Sequence, residues 1–233
     1  MTVLTPNVFY KHIKHWVSDS AARPVLQHVY FDGERAMATD TFRLALVKDW
    51  PCKEAHFCTP DGQTAKDTDG WNFPEPQKLI PDKSTAKWRH EIDNWQVLPS
   101  LLNSWKDIFV FLKKLVKKAD CASVALKKQG ARLIVYAVDD MYSNRTRIIL
   151  LDGLDGADWE FCIKADYILR AVEFLKDSDP ESLEICINEN GTIMKLETPD
   201  MILLISNVRV SAGPLRRFLN EESSVDADMS FLE

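Results

Sequence analysis

The chain has 233 residues, 45% of them hydrophobic and 27% charged, with 29 Lys and Arg against 35 Asp and Glu for a formal net charge of −6. That balance supports a sizeable core in one large domain or two small ones, and it excludes a disordered chain. No apolar run approaches the roughly 20 residues needed to cross a bilayer, and the opening MTVLTPNVFYKHIKHW lacks an apolar h-region, so a cytoplasmic protein with no membrane partner is expected. Cys52, Cys58, Cys121, Cys162 and Cys186 are odd in number, irregularly spaced and without a CxxC pair. This argues against both a disulfide framework and a zinc knuckle and for reduced thiols.

In chain order, Thr5-Pro6-Asn7 gives a start signal for a helix over residues 7–19, where Val8, Phe9, Ile13, Trp16 and Val17 recur on one face. Strand patterns follow at 25–31, 35–39 and 43–47, with Asp32-Gly33 as a hairpin turn. Residues 51–86 carry five prolines and two glycines, and predict an irregular connector with a short strand or two, tethered by Trp71, Phe73 and Leu79. Regular patterning resumes with a strand at 88–92 and a helix at 98–119. Strands are expected at 121–127, 132–138, 146–151 and 159–163, then a helix at 165–177 with Tyr167, Ile168, Ala171, Val172 and Leu175 as its stripe. Strands at 183–187, 192–197 and 201–210 complete the series, before a polar, acidic tail at 211–233 that is expected to be mobile.

A helix followed by strands thus recurs at about 1–50, 87–151 and 158–210, a repeat of pattern rather than of sequence. The implied architecture is α+β, with antiparallel sheets and helices on one face.

Motifs for catalysis are absent: there is no GxxxxGK[ST], GxSxG or HExxH. His12 and His15 lie three apart on the first helix, but no third ligand is placed near them, and they read as surface or DNA-side residues. Asp152, Asp155 and Asp158, with Gly153 and Gly156, look faintly like a calcium loop, yet Ile163 stands where an EF-hand needs its closing Glu. A polar turn is the simpler reading. No enzyme activity, metal or cofactor is expected.

Three stretches together resemble the β subunit of bacterial DNA polymerase III, the sliding clamp. The first is Arg23-Pro24-Val25-Leu26 followed by Ala38-Thr39-Asp40-Thr41-Phe42-Arg43-Leu44-Ala45. The second runs from Asp69-Gly70-Trp71-Asn72-Phe73-Pro74-Glu75 to Leu79-Ile80-Pro81. The third comprises Ala165-Asp166-Tyr167-Ile168-Leu169 and the closing Val208-Arg209-Val210. The resemblance covers about residues 5–50 and 69–210 and implies DNA-clamp-like modules, with no counterpart of the family's N-terminal domain and about half of its middle domain. The expected division is a partial clamp domain plus connector at 1–86, a complete C-terminal clamp domain at 87–211, and a flexible tail at 212–233.

By the same resemblance, the chain is expected to be a DNA replication processivity or recruitment factor. Its pocket would bind short linear motifs of a polymerase or other replication proteins through Thr39, Arg43, Leu44, Pro74, Leu79, Leu204, Ile205, Val208 and Arg209. The family usually has Gly, His, Arg and Pro where Thr41, Phe42, Lys78 and Asn207 stand, which bears on motif preference. Weak, non-specific contact with double-stranded DNA is assigned to Lys11, Lys14, Lys106, Lys113, Lys114, Lys117, Lys118, Lys164, Arg170 and Lys176; a merely solvated helix face is the competing reading. Asp228-Met229-Ser230-Phe231-Leu232 loosely resembles a clamp-binding pentapeptide, which suggests fold-back into its own or a neighbour's pocket; a disordered end with incidental hydrophobes is the simpler reading. Counting inner helices points to a homo-oligomer, with a homotetramer matching the family's full ring, and the resemblance is read as that of a phage or mobile-element protein. The alternative is a non-ring adaptor or inhibitor that captures clamp-binding motifs without encircling DNA.

Overall fold

The computed structural model describes residues 4–117 and 122–229, with side chains described as far as residue 223. They divide into two compact units, one of residues 1–104 and 170–206, the other of residues 105–169 and 207–233. This spatial division cuts across the modular one expected from the sequence, which is carried forward below as a proposal.

The first unit opens with α1 (Pro6–Ile13), whose Thr5 hydroxyl accepts the Val8 N–H at 3.4 Å, with Pro6 in the first turn. The helix stops six residues short of the expected end. His15 and Trp16 donate their N–H groups to the carbonyls of His12 and Ile13, tightening the chain into three-residue turns while Trp16 stays fully buried. Residues 24–27 form a 3-10 turn rather than strand, because Pro24 lacks the N–H that a sheet ladder needs.

Strands β1 (Val29–Asp32), β2 (Ala36–Thr39), β3 (Arg43–Val47), β4 (Ala55–Cys58), β5 (Trp88–Ile92), β10 (Leu183–Ile187), β11 (Ile193–Glu197) and β12 (Met201–Ser206) build one eight-stranded sheet. Its order is β4-β1-β2-β3-β12-β11-β10-β5, and every pairing is antiparallel. The central pairing joins β3 to β12, with Leu44 opposite Leu204 and Leu46 opposite Ile202. Those four side chains and Met37 form an apolar cluster on one face, and Ala45, Val47, Leu203 and Ile205 are buried by alternation on the other.

The connector covers the first of these faces. Phe73 stacks on Tyr30 at 5.3 Å, and Phe73 and Ile80 pack against the Leu44–Leu204 cluster. Trp71 meets Phe57 and His28 edge-on, as a tether should. Leu79 does not tether: it remains 44% exposed, and the partly buried Ile80 packs on the cluster in its place.

The second unit holds β6 (Ser123–Gln129), β7 (Arg132–Val138), β8 (Arg145–Leu151) and β9 (Trp159–Lys164) in the order β8-β7-β6-β9, again antiparallel. Helix α2 spans Leu98–Leu115, and α3 (Ala165–Ser178) carries the stripe expected of it, with Ile168, Ala171, Val172 and Leu175 buried. The segment read as a mobile acidic tail departs from expectation, because α4 spans Pro214–Met229. Leu215, Phe218 and Leu219 recur at i, i+3 and i+4 and pack against Ala125, Ile134, Tyr136, Val138 and Cys162 of the sheet. Glu221 and Glu222 pair with Arg145 and Arg147 of β8 at 3.2 and 3.1 Å. The acidic composition hid a short apolar stripe. Residues 230–233 lie outside the described residues, so the fold-back of the end of the chain is untouched by these observations.

Because Phe218 is buried against Tyr136 at a ring distance of 5.7 Å, Phe218→Ala is expected to destabilise the protein by about 3 kcal/mol. A urea titration that moved by less than a third of that would show α4 to be a loose appendage.

Candidate functional site

The turn between β2 and β3 is built by its own side chains. Thr39 Oγ1 donates to the Arg43 carbonyl at 2.6 Å and accepts the Thr41 N–H at 3.2 Å, while Asp40 Oδ1 accepts the N–H groups of Phe42 and Arg43. Thr41 is held at φ 81°, which is costly for a β-branched residue. The result is Phe42 presented outward, 58% exposed. Arg43 turns the other way. It is 8% exposed, its guanidinium donates to Asp40 Oδ2 at 2.7–2.9 Å and to the His15 carbonyl at 2.7 Å, and it lies over the Trp16 ring at 5.4 Å.

The residues expected to line a peptide pocket therefore differ in what they can do. Thr39 and Arg43 fix the turn; Leu44, Leu204 and Ile205 are buried in the sheet. Pro74 and Leu79 are exposed on the connector in the same unit. Val208 and Arg209 belong to the second unit, where Val208 packs beside the α4 cluster and donates its N–H to the Cys162 carbonyl at 2.8 Å, and Arg209 is exposed. Among the expected apolar contacts, Pro74 and Leu79 are the open ones, and Phe42 joins them as an exposed ring that the family comparison had marked only as a departure.

The same sheet face holds a charged network. Lys195, 1% exposed, donates to Glu197 at 2.6 Å and lies 2.9 Å from Glu184; Lys48 reaches Glu197 at 2.9 Å and Lys83 reaches Glu184 at 3.2 Å. Burial works against ionising Glu197, but the hydrogen bonds from Lys195 and Lys48 outweigh it and bring its carboxyl down to about 2. Sequence patterning missed this network because alternation with Met194 and Leu196 reads Lys195 and Glu197 as a solvent-facing pair.

The ten basic positions also divide. Lys11 and Lys176 both lie against Asp177, at 2.5 and 3.3 Å, Arg170 pairs with Glu173 at 2.9 Å, and Lys113 with Asp166 at 2.5 Å. Asp177 is held well below the usual carboxylate range: burial opposes this, and hydrogen bonds from Lys11, His12 and Lys176 overcome it. Lys164 sits over the Tyr167 ring at 5.2 Å. Lys14, Lys114 and Lys117 are exposed on α1 and at the end of α2, and Lys106 is half-buried. Lys118 lies outside the described residues.

His12 corrects its sequence reading. It is buried rather than on the surface, its Nε2 is 2.8 Å from Asp177 Oδ2, and its ring stacks on Phe174 at 5.0 Å. Burial lowers its pKa despite the neighbouring carboxylate, so it is a neutral pin between α1 and α3. The Asp152–Asp158 loop likewise carries its own cation. Lys128, 2% exposed, sends its ammonium to the carbonyls of Gly130 and Gly156 and to Asp158 at 3.3 Å. Among the described residues, no group of three or more His, Cys, Asp or Glu is placed to hold a metal, and no helix is long and apolar enough to cross a membrane.

No protein-family model matches the sequence, and no curated protein matches it. Solved structures do. DNA polymerase III subunit beta from Borrelia burgdorferi, in complex with a natural product, superposes with a TM-score of 0.68 at 16% identity over 88% of this chain and 62% of that one. The beta chain from Streptococcus pneumoniae gives 0.69 at 13% identity, covering 88% and 62%. A sliding clamp from Pseudomonas aeruginosa bound to griselimycin gives 0.68 at 12% identity, covering 90% and 64%. The chain thus has the fold of a shortened bacterial sliding clamp, spanning less than two thirds of the length of these structures.

The charged network makes a pH prediction. The depressed Glu197 carboxyl contributes stability that is present above its ordinary value of 4.5 and is lost as pH falls through about 2. Glu197→Gln is expected to lower stability at neutral pH and to flatten its decline across that window, measured by urea titrations from pH 6 to pH 2. Equal slopes in the two proteins would remove Glu197 from the account. Arg43→Ala is expected to cost about 3 kcal/mol, since it leaves Asp40 half-buried without its partner; an unchanged urea midpoint would contradict that.

Proposed function

We propose that this chain is a sliding-clamp-like DNA replication processivity or recruitment factor that binds partner linear motifs and performs no catalysis of its own. The observation that carries the reading is the central β3–β12 pairing within a fold that superposes on polymerase III beta structures over 88% of the chain. In this reading, residues 1–86 are a partial clamp domain and 87–211 a complete one. Double-stranded DNA is met weakly and without sequence preference by the exposed lysines, Lys14, Lys114 and Lys117, with Lys164 beside them in role. The internally paired Lys11, Lys113, Arg170 and Lys176 contribute less, because their charge is already answered by carboxylates.

Partner motifs are received in the first unit at the exposed apolar residues Phe42, Pro74 and Leu79; the family pattern separately assigns Val208 and Arg209 of the second unit. Thr39, Arg43, Leu44, Leu204 and Ile205 support that surface from beneath. The chain assembles as a homo-oligomer, with a tetramer as the version that restores the inner-helix count of a full ring. The alternative, an adaptor that captures clamp-binding motifs without encircling DNA, makes the same peptide contacts and differs in assembly.

Light scattering coupled to size exclusion separates these versions. A mass near four times 26.7 kDa, with salt-sensitive retention on circular but not linear DNA, is expected of the ring; a mass near 26.7 kDa at every concentration would leave the adaptor. Under either, Leu79→Ala and Phe42→Ala are expected to weaken a clamp-binding peptide about ten-fold each without moving the urea midpoint. Unchanged peptide affinity in both variants would sink the proposed pocket.

A further inference from the structure

A second surface of the first unit is shaped to receive a ligand and takes no part in the reading above. Two loops meet there: residues 93–97, between β5 and α2, and residues 179–182, between α3 and β10. Each loop is fixed from within. Asn94 Oδ1 accepts the N–H groups of Gln96 and Val97 at 3.1 and 3.3 Å, and its carbonyl accepts those of Val97 and Leu98. On the other side, Ser178 donates its hydroxyl to the Leu175 carbonyl at 2.8 Å, Pro180 is buried, and Asp179 turns the chain at φ 49°.

Between them lies a cavity of about 930 Å³, lined by Asp93, Trp95, Gln96, Pro99, Asp179 and Glu181 among others. Trp95 is 65% exposed at its rim. A turn this well braced has no folding reason to hold an indole in water, because burying it would be favourable. Every ionisable residue of the lining is acidic. Beyond the rim, the Asp200 carboxyl is pushed up first by its burial and then by Glu181, with Lys48 acting against this.

We infer that this groove binds a cationic peptide segment, with an Arg or Lys laid over the Trp95 ring and its neighbouring basic side chains held by Asp93 and Asp179. An aromatic face and carboxylates around it are the two features that recognise such a side chain. The volume suits a few residues of extended chain rather than a folded domain. This occupant differs in charge and in place from the motif assigned to Phe42 and Leu79.

The test uses a fluorescein-labelled peptide of Gly–Arg–Lys repeats, which contains no clamp-binding motif, with a Gly–Asp–Glu peptide as its counterpart. Anisotropy is read for the full chain, Trp95→Ala, the pair Asp93→Asn with Asp179→Asn, and a control pair of equal charge change, Glu189→Gln with Asp107→Asn. Asn is at ease in the left-handed region, so the Asp179 substitution keeps the loop. Trp95→Ala and the groove pair are each expected to weaken the basic peptide about ten-fold, while the control pair leaves it unchanged and the acidic peptide does not bind.

Equal weakening by the control pair would mean diffuse attraction to an acidic protein, and would overturn the inference. So would full affinity in Trp95→Ala, or no binding by the unaltered chain. A concentration-dependent mass that Trp95→Ala abolishes would give the groove to a second copy instead. None of these outcomes bears on the motif-binding reading, whose own peptide test stands apart.

Discussion

The first unit depends on the pairing of β3 with β12. It brings residues 43–47 beside 201–206, so a chain segment of more than 150 residues must be closed before it forms. What compensates is burial on both faces: Leu44, Leu46, Ile202 and Leu204 on one, Ala45, Val47, Leu203 and Ile205 on the other. Without this register, β3 would be an open apolar edge, an invitation to aggregate. A one-residue slip would exchange the two faces and put Arg43 into the Leu44 cluster, which is why the register is strongly specified.

From that pairing the turn at residues 39–43 gains its stiffness. Arg43 is the first residue of β3 after the turn and is clamped by Asp40 and the His15 carbonyl. Thr41 can then be kept in a strained conformation, and Phe42 held in solvent. The strain sits at Thr41, beside the exposed ring, and is overdetermined by the hydrogen bonds of Thr39, Asp40 and Arg43.

Much of the fold was legible in the sequence because period-2 and period-3.6 patterns in this chain are clean. Strands from 36–39 to 193–197 are found near where alternation puts them, and the α3 stripe where the helical period puts it. The failures share a cause. Residues 24–27 are apolar enough for a strand but lack the Pro24 N–H, α1 ends early because its last apolar residues are reached through tight turns, and α4 conceals three apolar contacts in an acidic segment. Position 195 reads as surface, and only the three-dimensional meeting of Glu184 and Glu197 makes its burial tolerable. For the candidate site, sequence names residues but not their exposure: nothing local marks Arg43 as buried beneath the turn or Phe42 as exposed on it. Nothing local marks residues 93–97 and 179–182 as one groove, since they are joined only by folding.

Charge distribution ties these observations together. A net charge of −6 does not repel DNA or attract a basic peptide by itself, because the fields that matter are local. On α1 and α3 the carboxylate of Asp177 answers Lys11 and Lys176 while His12 stays neutral beneath them, so the helix pair is braced by the very charges that a count of lysines would assign to DNA. At the start of α2, acidic residues surround Trp95; toward its end, Lys114 and Lys117 stand exposed. The sign of the surface thus reverses along a single helix.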